Sequence, residues 1–413
     1  MQPTRRDFFR LGLGSSALLA CGATVPGFLA RSASAPAPKD RVLVVLELSG
    51  GNDGLNTVVP YGDGDYRKYR PKIHVPANTL HKIDAHIGLH PALGGLARLL
   101  EKRQLAIVQS VGYPNPNRSH FRSMSIWQTA RSSPSGDTPG WLSRYLGRRP
   151  TAAGGDAAAL HISIVQLPQA LADRQVRVPS LVNLEQVRRR LGFPDGPGAH
   201  EQRAALDYVS SRVSGEPAAH LQFLQRTSLI TYASSARLEE VLRRGASSTS
   251  PYPEFGLAQR LRLIAQLIKA GLTTSIYYTQ LDGFDTHLNQ VGTQPALLQE
   301  AGDSLRAFLD DLSQAGDGKR VLVLVFSEFG RRLAENASGG TDHGTAAPVL
   351  LLGGAVRPGP HGPYPNLHDL EDGDPKHAID FRRVYATVLD QWLGCRSDKV
   401  LGETFTHLPL LQG

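Results

Sequence analysis

Apolar residues in this chain fall into short, near-continuous runs separated by longer amphipathic stretches. Residues 41–48, RVLVVLEL, show no alternation of polar and apolar positions, which predicts a strand covered on both faces. Similar runs predict strands over 105–111, 158–165, 178–181, 273–280, 320–326 and 349–352. Between them, 91–101 predicts a helix with proline in its first turn, and 119–130, 257–270, 295–314 and 381–393 also follow a helical period. Three further helical patterns, 184–191, 201–213 and 218–244, are broken by GFPDGPG and ended by GASSTSPYPEFG. Strands alternating with helices predict an α/β fold: a largely parallel central sheet flanked by helices, with a helical insertion near 184–245.

Composition changes this picture little. The 413 residues can bury a large core, and 41% hydrophobic against 20% charged residues is an ordinary globular balance. The formal charge of +8 comes partly from the first 35 residues, where Arg5, Arg6, Arg10 and Arg31 face Asp7 alone and leave +5 for the remainder. No block of Lys and Arg interleaved with aromatics follows, so nucleic acid is not an expected partner.

The N-terminus carries its own message. TRRDFFR followed by the weakly apolar residues 11–20 resembles a twin-arginine export signal, and a stretch that short is too short to anchor in a bilayer. The small-residue run ARSASA offers cleavage sites, giving a signal over 1–35 and a single mature domain over 36–413 with no transmembrane span. The expected partner in export is the twin-arginine translocase, and the expected location is periplasmic or otherwise extracytoplasmic. A basic amphipathic helix of the folded protein is the alternative. LLAC, ending at Cys21, also resembles a lipoprotein cleavage box; otherwise Cys395 is the one thiol left after cleavage, and no internal disulfide can form.

Ligands of parallel sheets bind beyond the carboxyl ends of the strands. The first strand runs into SGGNDG, which presents Asn52 and Asp53; the strand over 273–280 runs into LDGFDTHLNQ, with Asp282, Asp285 and His287. The strand over 320–326 ends in Ser327 and Glu328, and GGTDHGTAAP places Asp342 and His343 before the next strand. Carboxylate oxygens and imidazole nitrogens from separate strand ends suit a divalent ion, with zinc, calcium, magnesium and manganese all open. The glycines of GGNDG could equally serve only a turn. Arg118 and Arg122 are candidates for an anionic substrate oxygen or for exposed helix charges, and Ser119 for a nucleophile or a plain helix N-cap.

In combination, LSGGNDGLN, PNRSHF, DGFDTH, SEFGR and TDHGTAAP resemble the twin-arginine-exported domain-of-unknown-function fifteen-oh-one family, within the alkaline-phosphatase-like superfamily. The resemblance runs from about Arg41 to Leu393. It implies an alkaline-phosphatase-like fold and a metal-dependent hydrolase acting on an anionic phosphate or sulfate ester; the alternative is an inactive member serving as a binding or assembly protein of the cell envelope. Carried over, Asp285, His287 and His343 correspond to one metal site, and Asp53 with Glu328 to a second. The second site departs from the superfamily pattern, because Phe329 stands where a histidine ligand is expected. In the nucleophile's region Ser119 is the nearest hydroxyl, and Asn115 or Asn117 stands where the resemblance expects one.

Export through the paired arginines is testable directly. Replacing Arg5 and Arg6 together by Lys should hold the precursor in the cytoplasm, as read by fractionation and immunoblotting; efficient recovery from the periplasm would refute the twin-arginine reading.

Overall fold

All seven side chains of β1 (Val42–Leu48) are buried, as its unbroken apolar run requires. This computed structural model describes residues 41–148, 157–173, 176, 178–181 and 250–412, which fall in one compact unit. The expected export segment and the predicted helices 184–191, 201–213 and 218–244 lie outside the described residues. After β1 come α1 (Gly94–Glu101), β2 (Leu105–Gly112), α2 (His120–Thr129), β3 (Ala159–Ile162) and β4 (Ser180–Leu181). The chain continues through α3 (Gly256–Lys269), β5 (Ile276–Leu281), α4 (Gln290–Gln314), β6 (Val321–Phe326), β7 (Arg331–Glu335), β8 (Thr341–His343), β9 (Ala347–Leu352), β10 (Gly359–His361), β11 (Ile379–Asp380) and α5 (Phe381–Thr387).

Among the described residues the central sheet has nine strands in the order β10-β2-β9-β6-β1-β5-β3-β4, with β11 also pairing β2. β1 lies between β6 and β5, parallel to both, with Val44 opposite Val323 and Tyr277. β3 is parallel to β5 and to β4, and β10 and β11 are parallel to β2. Only β9 runs against its neighbours, β2 and β6. The carboxyl ends of β2, β6, β1 and β5 therefore open on the same edge.

Both faces of the sheet are covered. Val42, Val44 and Leu46 pack with Leu96 of α1, Leu261 and Ile264 of α3 and Leu305 and Phe308 of α4. Leu43 and Val45 face the other way, into a layer holding Trp127, Trp141, Phe381 and Tyr385. Trp127 stacks between Phe326 and Phe381, with ring centroids at 5.2 and 4.3 Å.

At the end of β1 the glycines are obligatory. Gly50 has φ +114°, and a Cβ there would lie 2.5 Å from the backbone nitrogen of Asp285. A Cβ on Gly51, at φ +70°, would fall 2.1 Å from the ring of Phe329. The turn thus lets two loops and an aromatic ring approach closer than any side chain allows.

The structure departs from expectation in two helices, one hairpin and the short strands β10 and β11, which no apolar run predicted. The helix expected from 295 begins at Gln290 and continues through Pro295, because buried Gln290 and Gln294 reach back to Asp53 and Asn52 and hold the extra turn. The helix expected over 381–393 ends its regular part at Thr387 and continues as a wider turn, Val388–Trp392. The hairpin of β7 and β8 was not anticipated; its polar sequence has no alternating apolar pattern, and it is held by backbone pairing and by Arg331.

Glu47 is the one carboxylate inside β1. It accepts hydrogen bonds from Gln128 (2.8 Å), Gln280 (3.0 Å) and the hydroxyl of Tyr278. Burial disfavours its charge more than these bonds favour it, pushing the carboxyl from 4.5 up to about 7. A folded-state value above the unfolded one contributes stability that is full below the unfolded value and lost as pH rises through the folded value. Ionisation should therefore cost about 3 kcal/mol between acid and neutral pH. Glu47→Gln keeps the shape without the charge, so its stability relative to wild type should climb from pH 5 to 8 and then level off. Chemical denaturation at a series of pH values measures this; parallel curves would show that Glu47 does not titrate in that window.

Candidate metal centre

Three histidines from different strand ends meet around one carboxylate. His120 opens α2 after the loop that follows β2, Asp285 and His287 lie in the loop after β5, and His343 ends β8. The Nε2 atoms of His287 and His343 are 2.9 Å apart, and each is 3.1 Å from Oδ1 of Asp285. Nε2 of His120 points at the other oxygen, Oδ2, at 3.5 Å.

The second nitrogen of each ring decides what this cluster can bind. Nδ1–H of His120 donates to Glu328 Oε1 at 2.8 Å, that of His343 to the carbonyl of Arg118 at 2.8 Å, and that of His287 to Asp342 Oδ1 at 3.2 Å. This assignment follows from the acceptors, each of which needs a proton on the facing nitrogen. A neutral imidazole protonated at Nδ1 presents only a lone pair at Nε2. Three lone pairs therefore converge on a carboxylate, an arrangement that is repulsive without a cation between them. Nε2 of His120 is buried and has no hydrogen-bond partner among the described residues. Donors around a zinc ion at 2.0–2.2 Å stand about 3.3–3.6 Å apart; one donor atom each from His120, Asp285 and His343 lie within 4.8 Å of one another, and His287 adjoins them through Asp285 at 3.1 Å and His343 at 2.9 Å.

Electrostatics keep the donors in the required forms. Burial alone would raise Asp285, but the hydrogen bond and charge of Arg331 oppose it and keep the carboxyl below its usual value. Burial depresses His343, favouring the neutral ring. The Glu328 hydrogen bond outweighs burial at His120 and raises it, so a proton and a metal compete for that Nε2. The guanidinium of Arg331, 1% exposed, reaches Asp285 at 2.7 Å. Phe329 walls one side, its ring centroid 4.9 Å from that of His120 and 4.7 Å from that of His343.

Residues 40–404 match the family described as "Protein of unknown function (DUF1501)". The chain belongs to this family. No curated protein matches it in sequence. Among solved structures, the C-terminal periplasmic domain of EcEptC from Escherichia coli, in complex with Zn, aligns with TM-score 0.36 and 10% identity, covering 77% of this chain and 74% of that one. A protein in the alkaline phosphatase superfamily from Vibrio parahaemolyticus aligns with TM-score 0.33 and 8% identity over 79% and 63% of the two chains. PsFucS1 sulfatase from Pseudoalteromonas sp. gives 0.34 and 12% over 88% and 68%. Likenesses this low carry neither an activity nor a metal across to the DUF1501 chain.

The structure brings Asp285, His287 and His343 together and places the rest of the expected ligand set elsewhere. Asp53 does not face the cluster. It is fully buried as the N-cap of the short helix Gly54–Thr57, with Oδ1 accepting from the backbone of Leu55 and Asn56. Its Oδ2 accepts from Arg70 and Gln290, each at 2.6 Å. Glu328 stands behind His120, its oxygens already engaged by His120, Gly50 N and Ser327. Arg118 is turned onto buried Asp374 and contributes its carbonyl to His343, while Arg122 donates to the carbonyl of Pro134 at 2.7 Å. Ser119 is the exposed N-cap of α2 and makes no side-chain capping bond. His120 was missed by a search for a hydroxyl at that helix start; the signal available was its position in PNRSHF, beyond a strand end. Asp53→Asn should thus leave bound metal unchanged while leaving Arg70 with an unpaired buried charge, lowering stability by about 3–5 kcal/mol. Denaturation and elemental analysis of one preparation check both, and loss of metal from folded protein would return Asp53 to the centre.

Proposed function

We propose that the chain holds one divalent transition-metal ion between His120, Asp285, His287 and His343 and there hydrolyses a phosphate or sulfate ester, after export by the twin-arginine route. The observation that carries this reading is the convergence of three Nε2 lone pairs on Asp285, each ring fixed by an acceptor on its Nδ1. Three imidazoles and one carboxylate suit zinc or a neighbouring first-row ion better than calcium or magnesium, which take oxygen ligands. Such an ion, when bound, supplies Lewis-acid polarisation of an ester oxygen and a lowered pKa for water. The protein's part is positional: Arg331 fixes Asp285, Glu328 and Asp342 fix the rings of His120 and His287, and Phe329 excludes water from one side. One ion is favoured over two because Asp53 is bound to Arg70 and Glu328 to His120. Water is the attacking group in this reading, since Ser119 sits exposed at a helix N-cap.

A second reading, an inactive envelope-binding protein, draws on the engagement of Arg118 with Asp374 and of Arg122 with the carbonyl of Pro134, which ties part of each guanidinium to the fold. Elemental analysis and turnover of aryl phosphates, phosphodiesters and sulfates separate the two. The hydrolase reading expects about one equivalent of metal, lost in His343→Ala and His120→Ala, with turnover lost alongside it and retained in Ser119→Ala. Glu328→Gln should weaken metal affinity by about 10–100-fold. Folded, metal-loaded protein without turnover on any of these esters supports the binding role, and wild-type protein that takes up no ion defeats the centre itself.

A further inference from the structure

A polar cleft of about 200 Å³ lies beside the metal cluster and is lined by none of the cluster's own residues. Most of its wall comes from two segments. Asn115 and Arg118 belong to the loop between β2 and α2, and Glu371, Asp372, Lys376 and His377 surround the hairpin in which Leu370–Glu371 pairs with Asp374–Pro375. Arg118 joins the two places, since its carbonyl accepts from Nδ1 of His343 at 2.8 Å and the same residue lines the cleft. The hairpin turns on Asp372 and Gly373, both at positive φ (+53° and +83°), a tight turn that Asp-Gly favours.

Unused hydrogen-bonding groups of both kinds meet here. Asp374 takes Nε and Nη2 of Arg118, leaving Nη1 without a bond among the described residues. The side chains of Asn115, Glu371 and His377 likewise make no hydrogen bond among the described residues. Burial lowers the pKa of His377, so its neutral ring offers one donor and one acceptor. Full charges are interleaved rather than separated: Arg118 Nη2 stands 3.9 Å from Asp372, and Lys376 follows the turn that carries Glu371. A ligand anion would meet Glu371 and Asp372, and a ligand cation would meet Arg118 and Lys376. A hydroxyl group donates and accepts at once and is opposed by neither pair. Pockets for drug-sized ligands run to about 300–1,000 Å³, so this one has room for a single ring.

We propose that the cleft binds a neutral, hydroxyl-rich ligand the size of one sugar ring, held by Nη1 of Arg118, the Asn115 amide, the Glu371 carboxylate and the His377 ring. The site does not depend on a metal in the neighbouring cluster and goes beyond the hydrolase reading.

Saturation-transfer NMR on the full chain, metal-free and zinc-loaded, tests it with the methyl glycosides of glucose, galactose, mannose and N-acetylglucosamine. At least one should bind saturably, with the same affinity in both forms. Cyclohexanol, methylammonium, glycine and inorganic sulfate should not displace it. The double variant Glu371→Ala, His377→Ala should weaken binding at least about ten-fold while keeping the wild-type unfolding midpoint and zinc stoichiometry. If that variant fails to fold, Glu371→Ala alone, at an exposed turn, should weaken it about three-fold or more. Absence of glycoside binding, displacement by any of the controls, or unchanged affinity in the folded variant overturns the proposal. Binding that requires zinc does so as well, because the sugar then sits on the ion. A chain that takes up no zinc defeats the metal centre, and the metal-free titration still decides the sugar site.

Discussion

The buried guanidinium of Arg331 is the interaction on which the functional edge of this protein depends. Its nitrogens donate to the carbonyls of Gly50, Gly51, Phe284 and Thr341 and to the carboxylate of Asp285. These acceptors come from three separate segments: the turn after β1, the loop after β5 and the start of β8. Loops at the ends of parallel strands bring carbonyls together with no strand left to pair them, and unpaired buried carbonyls are costly. A planar, always-charged group with five fixed donors meets that demand in a way a lysine cannot. By closing the loops around one point, Arg331 also fixes where Asp285 stands.

From that anchor the remaining geometry follows by close approach. Gly50 and Gly51 carry no side chains, so the backbone of Asp285 and the ring of Phe329 can come in against the first turn. Gly340 likewise leaves room for the backbone of Thr286 and His287, where a Cβ would stand 2.3 Å from the nearest carbonyl oxygen. Phe329 packs against two of the rings that present lone pairs. An aromatic ring here is a wall that offers no donor, so the rings of His120 and His343 are shielded on that side.

The strands and their shared edge were legible in the sequence because continuous apolar runs report burial on both faces, and β1, β2, β5 and β6 all carry them. Asp285, His287 and His343 were legible because they sit one short loop beyond such runs. Asp53 looked equivalent and was not, since nothing in GGNDG shows that Arg70, seventeen residues on, folds back beneath it. His120 was hidden for a different reason: a residue that opens a helix reads as a cap or a nucleophile, and its ring's direction is set by Glu328, more than two hundred residues away. Hairpin β7–β8 escaped because its stability lies in backbone bonds and a single guanidinium rather than in side-chain pattern.

Two aspartate–arginine pairs at this edge show what separates a structural carboxylate from a chemical one. Asp53 receives four donors, two backbone amides with Arg70 and Gln290, and a carboxylate has about four lone-pair positions to give. Its charge is neutralised and its acceptor capacity is spent, so it can organise the turn but bind nothing further. Asp285 is paired with an equally buried arginine, yet that bond engages one oxygen alone. The same oxygen and its partner are left facing three imidazole lone pairs, groups that cannot donate to them while their protons are held at Nδ1. Both carboxylates lie beside parallel strand ends and both are stabilised by arginine. The difference in capacity arises entirely from unsatisfied acceptors, which only the folded arrangement of distant residues determines.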